Sequence, residues 1–239
     1  MLSIYKKELN AFFSSAIGYL VIAVFLLING LFLWVFEEEY NILNAGFADL
    51  TAFFSLSPWF FVFLIPAITM RSFSEELRTG TIEILKTKPV SSWGIVLGKF
   101  SAYLTLMVLA LLPTLTYVFT VYELAMFPER MDFGSIIGSY LGLLLMAAAL
   151  TAIGLFSSIL TKSQIVAFIF GTLLALIVFY GFEALGGLEL VKTFDPEDLS
   201  MHVRFQSMAR GVLDTRDLLY FLSLILFFLW CTKGALDEK

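Results

Sequence analysis

Long apolar stretches alternate with short charged ones along the whole chain. A helix needs about 20 apolar residues to cross the roughly 30 Å hydrocarbon core of a bilayer. Six stretches reach or approach that length, so we predict six transmembrane helices, over residues 17–36, 50–70, 100–122, 135–159, 164–182 and 215–232. The last span has the shortest apolar part, which covers only residues 218–230.

The first 16 residues have an amphipathic pattern instead of a continuous apolar one. Apolar residues recur at helical spacing, while Lys6 and Lys7 lie on the other side of the same helix. This pattern predicts a helix over residues 1–16 that lies in the membrane interface, with its lysines near anionic head groups. The alternative is that these residues are only the frayed start of the first span.

Small residues recur four positions apart in two places. Such stripes let helix backbones approach closely, and in lipid this packing has to supply the attraction between helices. The pattern predicts two close helix contacts, either within one chain or between two copies. The residues are Gly94, Gly98 and Ala102 in the first stripe, and Gly134, Gly138 and Gly142 in the second.

A charged segment, residues 72–89, separates the second predicted span from the third. Ser72 followed three residues later by Glu75 predicts a capping box, in which each side chain satisfies a backbone N–H at the start of a helix. Gly80 predicts a break or bend in that helix. We therefore predict a short helical element with a defined start and a bend.

The turn after Gly80 carries an apolar ridge. Ile82 and Leu85 lie on one face of it, and Pro89 ends it. A short helix with an apolar ridge and charged surroundings suits a groove on a soluble partner. The alternative is an ordinary solvated loop that happens to be helical.

The segment between the fifth and sixth predicted spans, residues 183–214, also contains a helix pattern. Asp195 suits the N-cap, Pro196 the first helical position and Gly211 the C-terminal stop. One face of the predicted helix is apolar, with Met201, Phe205, Met208 and Val212. The only histidine, His202, lies in the same segment without Cys or carboxylate partners at metal-ligand spacing, so we assign it no chemistry.

Composition supports a polytopic membrane protein. The 239 residues are 59% hydrophobic and 15% charged, with a mean hydropathy of +0.90. We predict a single all-α transmembrane domain over residues 1–239. Ten of the fifteen basic residues fall at the two termini and in the second and fourth inter-span segments. Because cytoplasmic segments are enriched in Lys and Arg, both termini and the 72–89 segment are predicted to be cytoplasmic.

Several kinds of chemistry are missing from the sequence. It has no phosphate-binding G-x-x-x-x-G-K-[ST] motif, no H-E-x-x-H and no G-x-S-x-G. The single Cys231 excludes an internal disulfide. The predicted spans carry almost no ionisable residues away from their ends, whereas ion-coupled transporters keep such residues at membrane depth. We therefore expect no cofactor, metal or nucleic acid on this chain, no enzymatic activity of its own, and an energy source outside it.

The segment Glu-Glu-Leu-Arg-Thr-Gly-Thr-Ile-Glu-Ile-Leu, residues 75–85, followed by Lys-Pro-Val-Ser, resembles the signature of permease subunits in the type-2 ABC exporter family. Within that family the chain is most similar to the gliding-motility-associated permease. The similarity covers nearly the whole length and includes Arg-Gly-Val-Leu-Asp-Thr-Arg-Asp at residues 210–217.

The resemblance implies that residues 75–85 contain a cytoplasmic coupling helix between spans 2 and 3, which docks on a separate nucleotide-binding ATPase subunit carrying ATP and Mg²⁺. It implies short external re-entrant helices between spans 5 and 6. It also implies a second permease half, a bacterial inner membrane location and a role in gliding motility or secretion. The docking residues would be Glu75, Glu76, Arg78, Gly80, Thr81, Ile82, Glu83 and Leu85.

Three other assignments compete with this one. A similar branch of permeases serves metalloenzyme maturation by the same mechanism. A membrane scaffold for a motility or secretion machine is nearly as compatible with the pattern, since the 72–89 segment would equally bind a partner without ATPase activity. An intramembrane enzyme is disfavoured, because the spans hold no buried acid or histidine that would complete a catalytic set.

Overall fold

The computed structural model describes residues 1–37, 39–44, 49–86, 90–126, 131–186, 196–211 and 214–239. All regular structure in these ranges is helical, and no strand occurs there. The α-helices are α1 (Leu2–Phe13), α2 (Ala16–Trp34), α3 (Thr51–Thr69), α4 (Arg71–Thr79), α5 (Thr81–Lys86), α6 (Ser92–Leu111), α7 (Leu115–Leu124), α8 (Phe133–Leu160), α9 (Gln164–Leu176), α10 (Phe182–Gly186), α11 (Met201–Ala209) and α12 (Thr215–Asp237).

Three short pieces link these helices. A 3₁₀ turn over Leu112–Thr114 joins α6 to α7 at Pro113, a π-helical stretch over Ile177–Gly181 joins α9 to α10, and a 3₁₀ turn over Pro196–Leu199 precedes α11. Proline lacks the backbone N–H that a continuing α-helix needs, which accounts for the change of helix type at Pro113. Helices α6 and α7 thus form one long segment over Ser92–Leu124, and α9 and α10 form another over Gln164–Gly186.

Five helical segments in the described part are long and apolar enough to cross a membrane: Thr51–Thr79, Ser92–Leu124, Phe133–Leu160, Gln164–Gly186 and Thr215–Asp237. A sixth candidate is the pair formed by α1 and α2, which meet at a bend of 65°. The number of spans is therefore five, or six if this bent pair counts as one. The six-span layout itself stays a prediction.

Helix α8 lies at the centre of the bundle. It packs against α3, α4, α6, α9, α11 and α12, and most of its residues from Met146 to Ile159 are buried. Small side chains permit this central position, because they let several helices approach the same backbone. The closest approach is at Gly154, where α8 has no room for a side chain. A Cβ there would overlap the Thr69 hydroxyl, so α3 and α8 are in contact at this point.

Both small-residue stripes contact another helix of the same chain. A Cβ on Gly98 would lie 3.0 Å from Ile4 Cβ, so this part of α6 packs against α1. A Cβ on Gly142 would lie 2.9 Å from Phe205 Cδ2, so this part of α8 packs against α11. The predicted close contacts are confirmed, and both are satisfied within one chain.

The Gly154 contact generates a stability prediction. In Gly154→Ala the added methyl group must displace Thr69, and overpacking of this kind costs about 1–3 kcal/mol. Gly234→Ala is the matched control, because a Cβ there meets no atom within 4 Å. We expect the first variant to melt at a clearly lower temperature in detergent than the wild-type chain and the control. Equal melting temperatures for the two variants would contradict the close α3–α8 contact.

Candidate partner-docking site

Helix α4 continues the direction of α3 after a break at Met70. The N–H groups of Phe73 and Ser74 donate to Ser158 Oγ on α8, at 2.8 and 3.1 Å, and this hydroxyl donates to the Met70 carbonyl at 3.0 Å. The start of α4 is thus capped by a side chain from the central helix. The sequence gives no sign of this cap, because Ser158 lies about 85 residues from the amides whose hydrogen bonds it accepts.

The predicted capping box is wrong. Ser72 lies inside α4 and not before it, because the helix continues from the preceding span without an intervening loop. No residue of α4 caps its N-terminus through a side chain, and Ser72 Oγ is buried beside the Tyr103 hydroxyl, where it makes no well-formed hydrogen bond within the described chain. Glu75 faces Arg71 instead, with 3.8 Å between Arg71 Nε and Glu75 Oε2.

Gly80 ends α4 in the left-handed conformation, with φ 72° and ψ 4°, and α5 begins at the next residue. The predicted break is confirmed, and glycine takes this conformation without the penalty that a Cβ would add. The exposed tip is polar, and the Thr79 and Thr81 hydroxyls lie 3.0 Å apart across the turn. We call α4, Gly80 and α5 the elbow.

The predicted apolar ridge is not at the surface. Ile82 is only 5% exposed and belongs to the chain's own hydrophobic core, and Leu85 packs against that core. The ridge therefore packs α5 against its own chain. The apolar pattern alone does not show whether such a ridge is covered by a partner or by the chain itself. Among the elbow residues whose burial is described, the exposed ones are instead Arg78, Thr79, Gly80, Thr81 and Glu83. Pro89, predicted to end this element, lies outside the described residues.

A buried lysine, Lys99, lies next to the elbow. In the sequence it is distinguished only as one of the basic residues that predict the cytoplasmic side. Lys99 on α6 is 1% exposed, and its Nζ lies 2.9 Å from Glu8 Oε1 and 3.1 Å from Glu76 Oε1. It also donates to the Ser72 carbonyl at 2.8 Å and sits 4.9 Å from the centre of the Phe73 ring. Lys99 therefore joins α1, α4 and α6.

Lys7 completes this arrangement, which we call the Lys99 cluster: Lys7, Glu8, Glu76 and Lys99. Lys7 Nζ is 2.8 Å from Glu76 Oε1 and 3.7 Å from Glu8 Oε1. Burial lowers the pKa of Lys7, but the hydrogen bond and charge of Glu76, with the charge of Glu8, raise the pKa above its ordinary value. Two ammonium groups, the buried one of Lys99 and the exposed one of Lys7, thus face two carboxylates, so the charges of the cluster balance.

The predicted docking residues therefore separate into three groups. Glu76 points into the Lys99 cluster, and Glu75 is half-exposed beside Arg71. Ile82 and Leu85 face inward. The exposed group, the part of the prediction that a partner would meet directly, consists of Arg78, Gly80, Thr81 and Glu83.

The other end of α8 carries α11, the helix predicted after the fifth span. Met201, Phe205 and Met208 are buried as predicted, and Gly211 ends the segment with φ 81°. The start differs from the prediction, because Pro196 opens a separate 3₁₀ turn and α11 begins only at Met201. Asp195 and Val212 lie outside the described residues.

His202, on α11, contacts an acid and three aromatic rings. Its Nδ1 lies 2.8 Å from Glu183 Oε2, and its ring is 5.2 Å from the Phe179 ring centre, with Trp59 and Tyr180 slightly farther away. Within the described ranges no group of three or more His, Cys, Asp or Glu residues is placed to hold a metal ion. His202 links α11 to α3 and to the helix that follows α9.

A chain whose described residues form only helices, with five or six of membrane-crossing length, is a multi-pass membrane protein. A family model described as ABC-2 family transporter protein matches residues 2–232, nearly the whole chain. The chain therefore belongs to the ABC-2 transporter family of ABC-transporter permease subunits, which associate with an ABC ATPase subunit. No curated protein matches the sequence. The predicted permease family is confirmed, whereas the gliding-motility branch stays a prediction.

The Lys99 cluster generates a second stability prediction. Lys99→Met leaves two buried carboxylates with only the exposed Lys7 ammonium beside them, and breaking a buried ion pair costs about 3–5 kcal/mol. We expect loss of monodisperse protein in detergent at temperatures where the wild-type chain is intact. Replacing Glu8 and Glu76 by Gln in the same variant should restore part of the loss, because the uncompensated charges are then gone.

Lys6→Met is the control for the Lys99 substitution, since Lys6 is exposed on the same α1 helix that carries Glu8. It should leave the melting behaviour unchanged. If Lys99→Met behaved like Lys6→Met, the cluster would not hold α1 to α4 and α6.

Ser158 generates a third prediction. In Ser158→Ala the Phe73 and Ser74 N–H groups lose their acceptor inside the protein, at a cost of about 1–3 kcal/mol. Ser157→Ala is the matched control, because the neighbouring hydroxyl donates only to the Gly154 carbonyl of its own helix. Hydrogen exchange of the α4 amides should accelerate in the first variant alone. Equal exchange in both variants would show that Ser158 does not cap α4.

Proposed function

We propose that this chain is the permease subunit of an ATP-driven exporter, and that the elbow is its coupling helix, the contact with a separate ATPase subunit. The observation that carries the proposal is the construction of the elbow, which has an exposed polar tip and a buried side attached to four other helices. ATP and Mg²⁺ are held by the partner subunit and not by this chain.

The contacts of the elbow provide a route for mechanical force. Helix α4 continues α3 directly, Ser158 attaches its start to α8, and Glu76 attaches it to α1 and α6 through Lys99. A push on the tip therefore acts on the bundle through hydrogen bonds and ion pairs. Closure of an ATPase dimer around ATP would supply that push, and this chain contains no energy source of its own.

The working unit in this proposal has two permease halves and two ATPases. Helices α3 and α9, which pack against each other in this chain, correspond to the second and fifth predicted spans. Movement of the elbow would make these spans separate or rejoin, which opens and closes a path. The second half is either another copy of this chain or another membrane subunit.

The location follows from the same proposal. The elbow has to lie in the cytoplasm, where ATP is, and both termini lie there by the distribution of basic residues. We place the complex in the bacterial inner membrane, with a role in gliding motility or secretion, as the sequence resemblance implies. Maturation of a metalloenzyme is the alternative role for the same mechanism.

Charge reversal at the elbow tip tests the proposal. Arg78→Glu together with Glu83→Lys changes two exposed side chains and leaves the buried contacts of α4 intact. We expect the ATPase subunit that co-purifies in mild detergent to be recovered at least about tenfold less well, because each lost charged contact costs about 1.5–3 kcal/mol. The ATPase activity of the remaining complex should no longer depend on this chain.

Arg216→Glu is the control, an exposed charge reversal at the start of α12, near α11 and far from the elbow. It should leave recovery of the ATPase unchanged. Undiminished recovery and activity with the reversed elbow would contradict the docking role. A stoichiometric partner without nucleotide-binding activity would instead identify the chain as a membrane scaffold.

A further inference from the structure

A cavity of about 240 Å³ lies between α1, α4 and α6, beside the Lys99 cluster. Its polar wall holds two cations, three carboxylates and three hydroxyl groups: Lys7, Arg71, Glu8, Glu75, Glu76, Ser15, Ser72 and Tyr103. Arg71 keeps a side-chain exposure of 35%, so the cavity reaches the surface. The volume is well above the roughly 10–15 Å³ that a single water needs, so there is room for a larger polar group.

Two buried oxygens in this wall lack a well-formed hydrogen bond within the described residues: Glu76 Oε2, and Ser72 Oγ on a residue that is only 4% exposed. The Tyr103 hydroxyl, from the same wall, interacts with the Ser72 hydroxyl, so Glu76 Oε2 is the less satisfied of the two. Buried acceptors without partners are costly, and most buried polar atoms in proteins are satisfied. A group that supplies N–H donors to both oxygens, and a positive charge to the carboxylate, would meet both requirements.

The cavity also offers cationic groups. Arg71 approaches Glu75 only at 3.8 Å, and the Lys7 ammonium lies in the same wall. A ligand with a single charge would satisfy one part of this wall and be repelled by the other. The arrangement suits a zwitterion, with its ammonium group toward Glu76 and Ser72 and its phosphate toward Arg71 and Lys7.

The position of the cavity indicates where such a ligand comes from. Phe12 and Ser15, at the end of α1, line it, and there α1 bends by 65° into the apolar helix α2. This is the level at which the chain enters the membrane, where phospholipid head groups lie. The apolar side of the cavity at Phe12 would face the glycerol end of a lipid.

We propose that this cavity binds the head group of an ethanolamine phospholipid. The ammonium group of the lipid donates to Glu76 Oε2 and Ser72 Oγ, and its phosphate lies near Arg71 and Lys7. A choline head group has no N–H to donate, so it satisfies neither oxygen. The inference does not rest on the transport function proposed above, because it requires only a chain inserted in a bilayer.

Lipid retention by the purified full-length chain, together with any subunits that co-purify, tests this site. The protein is titrated with phosphatidylethanolamine, phosphatidylcholine or phosphatidylglycerol of identical acyl chains, and bound lipids are counted by native mass spectrometry. We expect about tenfold tighter retention of the ethanolamine lipid than of the other two, as two charge-assisted hydrogen bonds would give. Equal retention of the three lipids would overturn the proposal.

Two variants locate the binding. Ser72→Ala removes a hydroxyl that makes no well-formed hydrogen bond in the described chain and only a side-chain interaction with Tyr103, so it should leave the fold intact and reduce the ethanolamine preference about three- to tenfold. Ser74→Ala is its matched control, because Ser74 Oγ, also buried in α4, donates to the Met70 carbonyl and does not line the cavity. Arg71→Gln should weaken retention of all three lipids, since the phosphate is common to them.

An unchanged lipid preference in Ser72→Ala would overturn the assignment of the ammonium group to this cavity. A soluble analogue separates the lipid from its head group. Glycerophosphoethanolamine, added at the same concentration as the lipid, should bind more weakly, because it lacks the part that remains in the bilayer. Binding as tight as that of the lipid would overturn a membrane lipid as the ligand.

Discussion

The buried ammonium of Lys99 must be neutralised, and that requirement organises one end of the molecule. An isolated charge at 1% exposure would cost several kcal/mol, so carboxylates have to come to it from other helices. Glu8 brings α1 and Glu76 brings α4 to the same atom. The ion pairs thereby fix the positions of the amphipathic helix α1, the transmembrane helix α6 and the elbow relative to one another. The elbow is consequently part of the bundle, and only its tip is free to meet another protein.

In a simple docking ridge the apolar residues face the partner, whereas in the elbow they face the chain's own core. The apolar residues of the elbow secure α5 to the chain, and its polar residues face outward around Gly80. A contact made through such a tip depends on charge and backbone shape more than on buried apolar area. The left-handed Gly80 keeps α4 and α5 as two separate helices, so the tip presents a turn. Family membership and this geometry together support a force-transmitting contact with an ATPase.

Sequence patterns predicted an all-helical chain with helices long and apolar enough to cross a membrane, because apolar length is a direct physical requirement of the bilayer; five such helices are present in the described residues, or six with the bent α1–α2 pair. They also predicted the break at Gly80 and the buried face of α11. The capping box was wrong because Ser72 and Glu75 have the spacing of a helix start even inside a continuing helix. The Lys99 cluster and the Ser158 cap were missed because their partners are 91 and 85 residues apart. Ile82 was placed outward because an apolar residue does not indicate whose surface will cover it.

The Ser158 cap also constrains how the protein is made. The chain emerges from the ribosome in order, so the Phe73 and Ser74 amides are synthesised 85 and 84 residues before the hydroxyl that accepts their hydrogen bonds. Until α8 has entered the membrane, the first turn of α4 has to rely on water or remain frayed. Completion of the elbow is therefore a late event in biogenesis, and a chain truncated before α8 would present α4 without the support that shapes it.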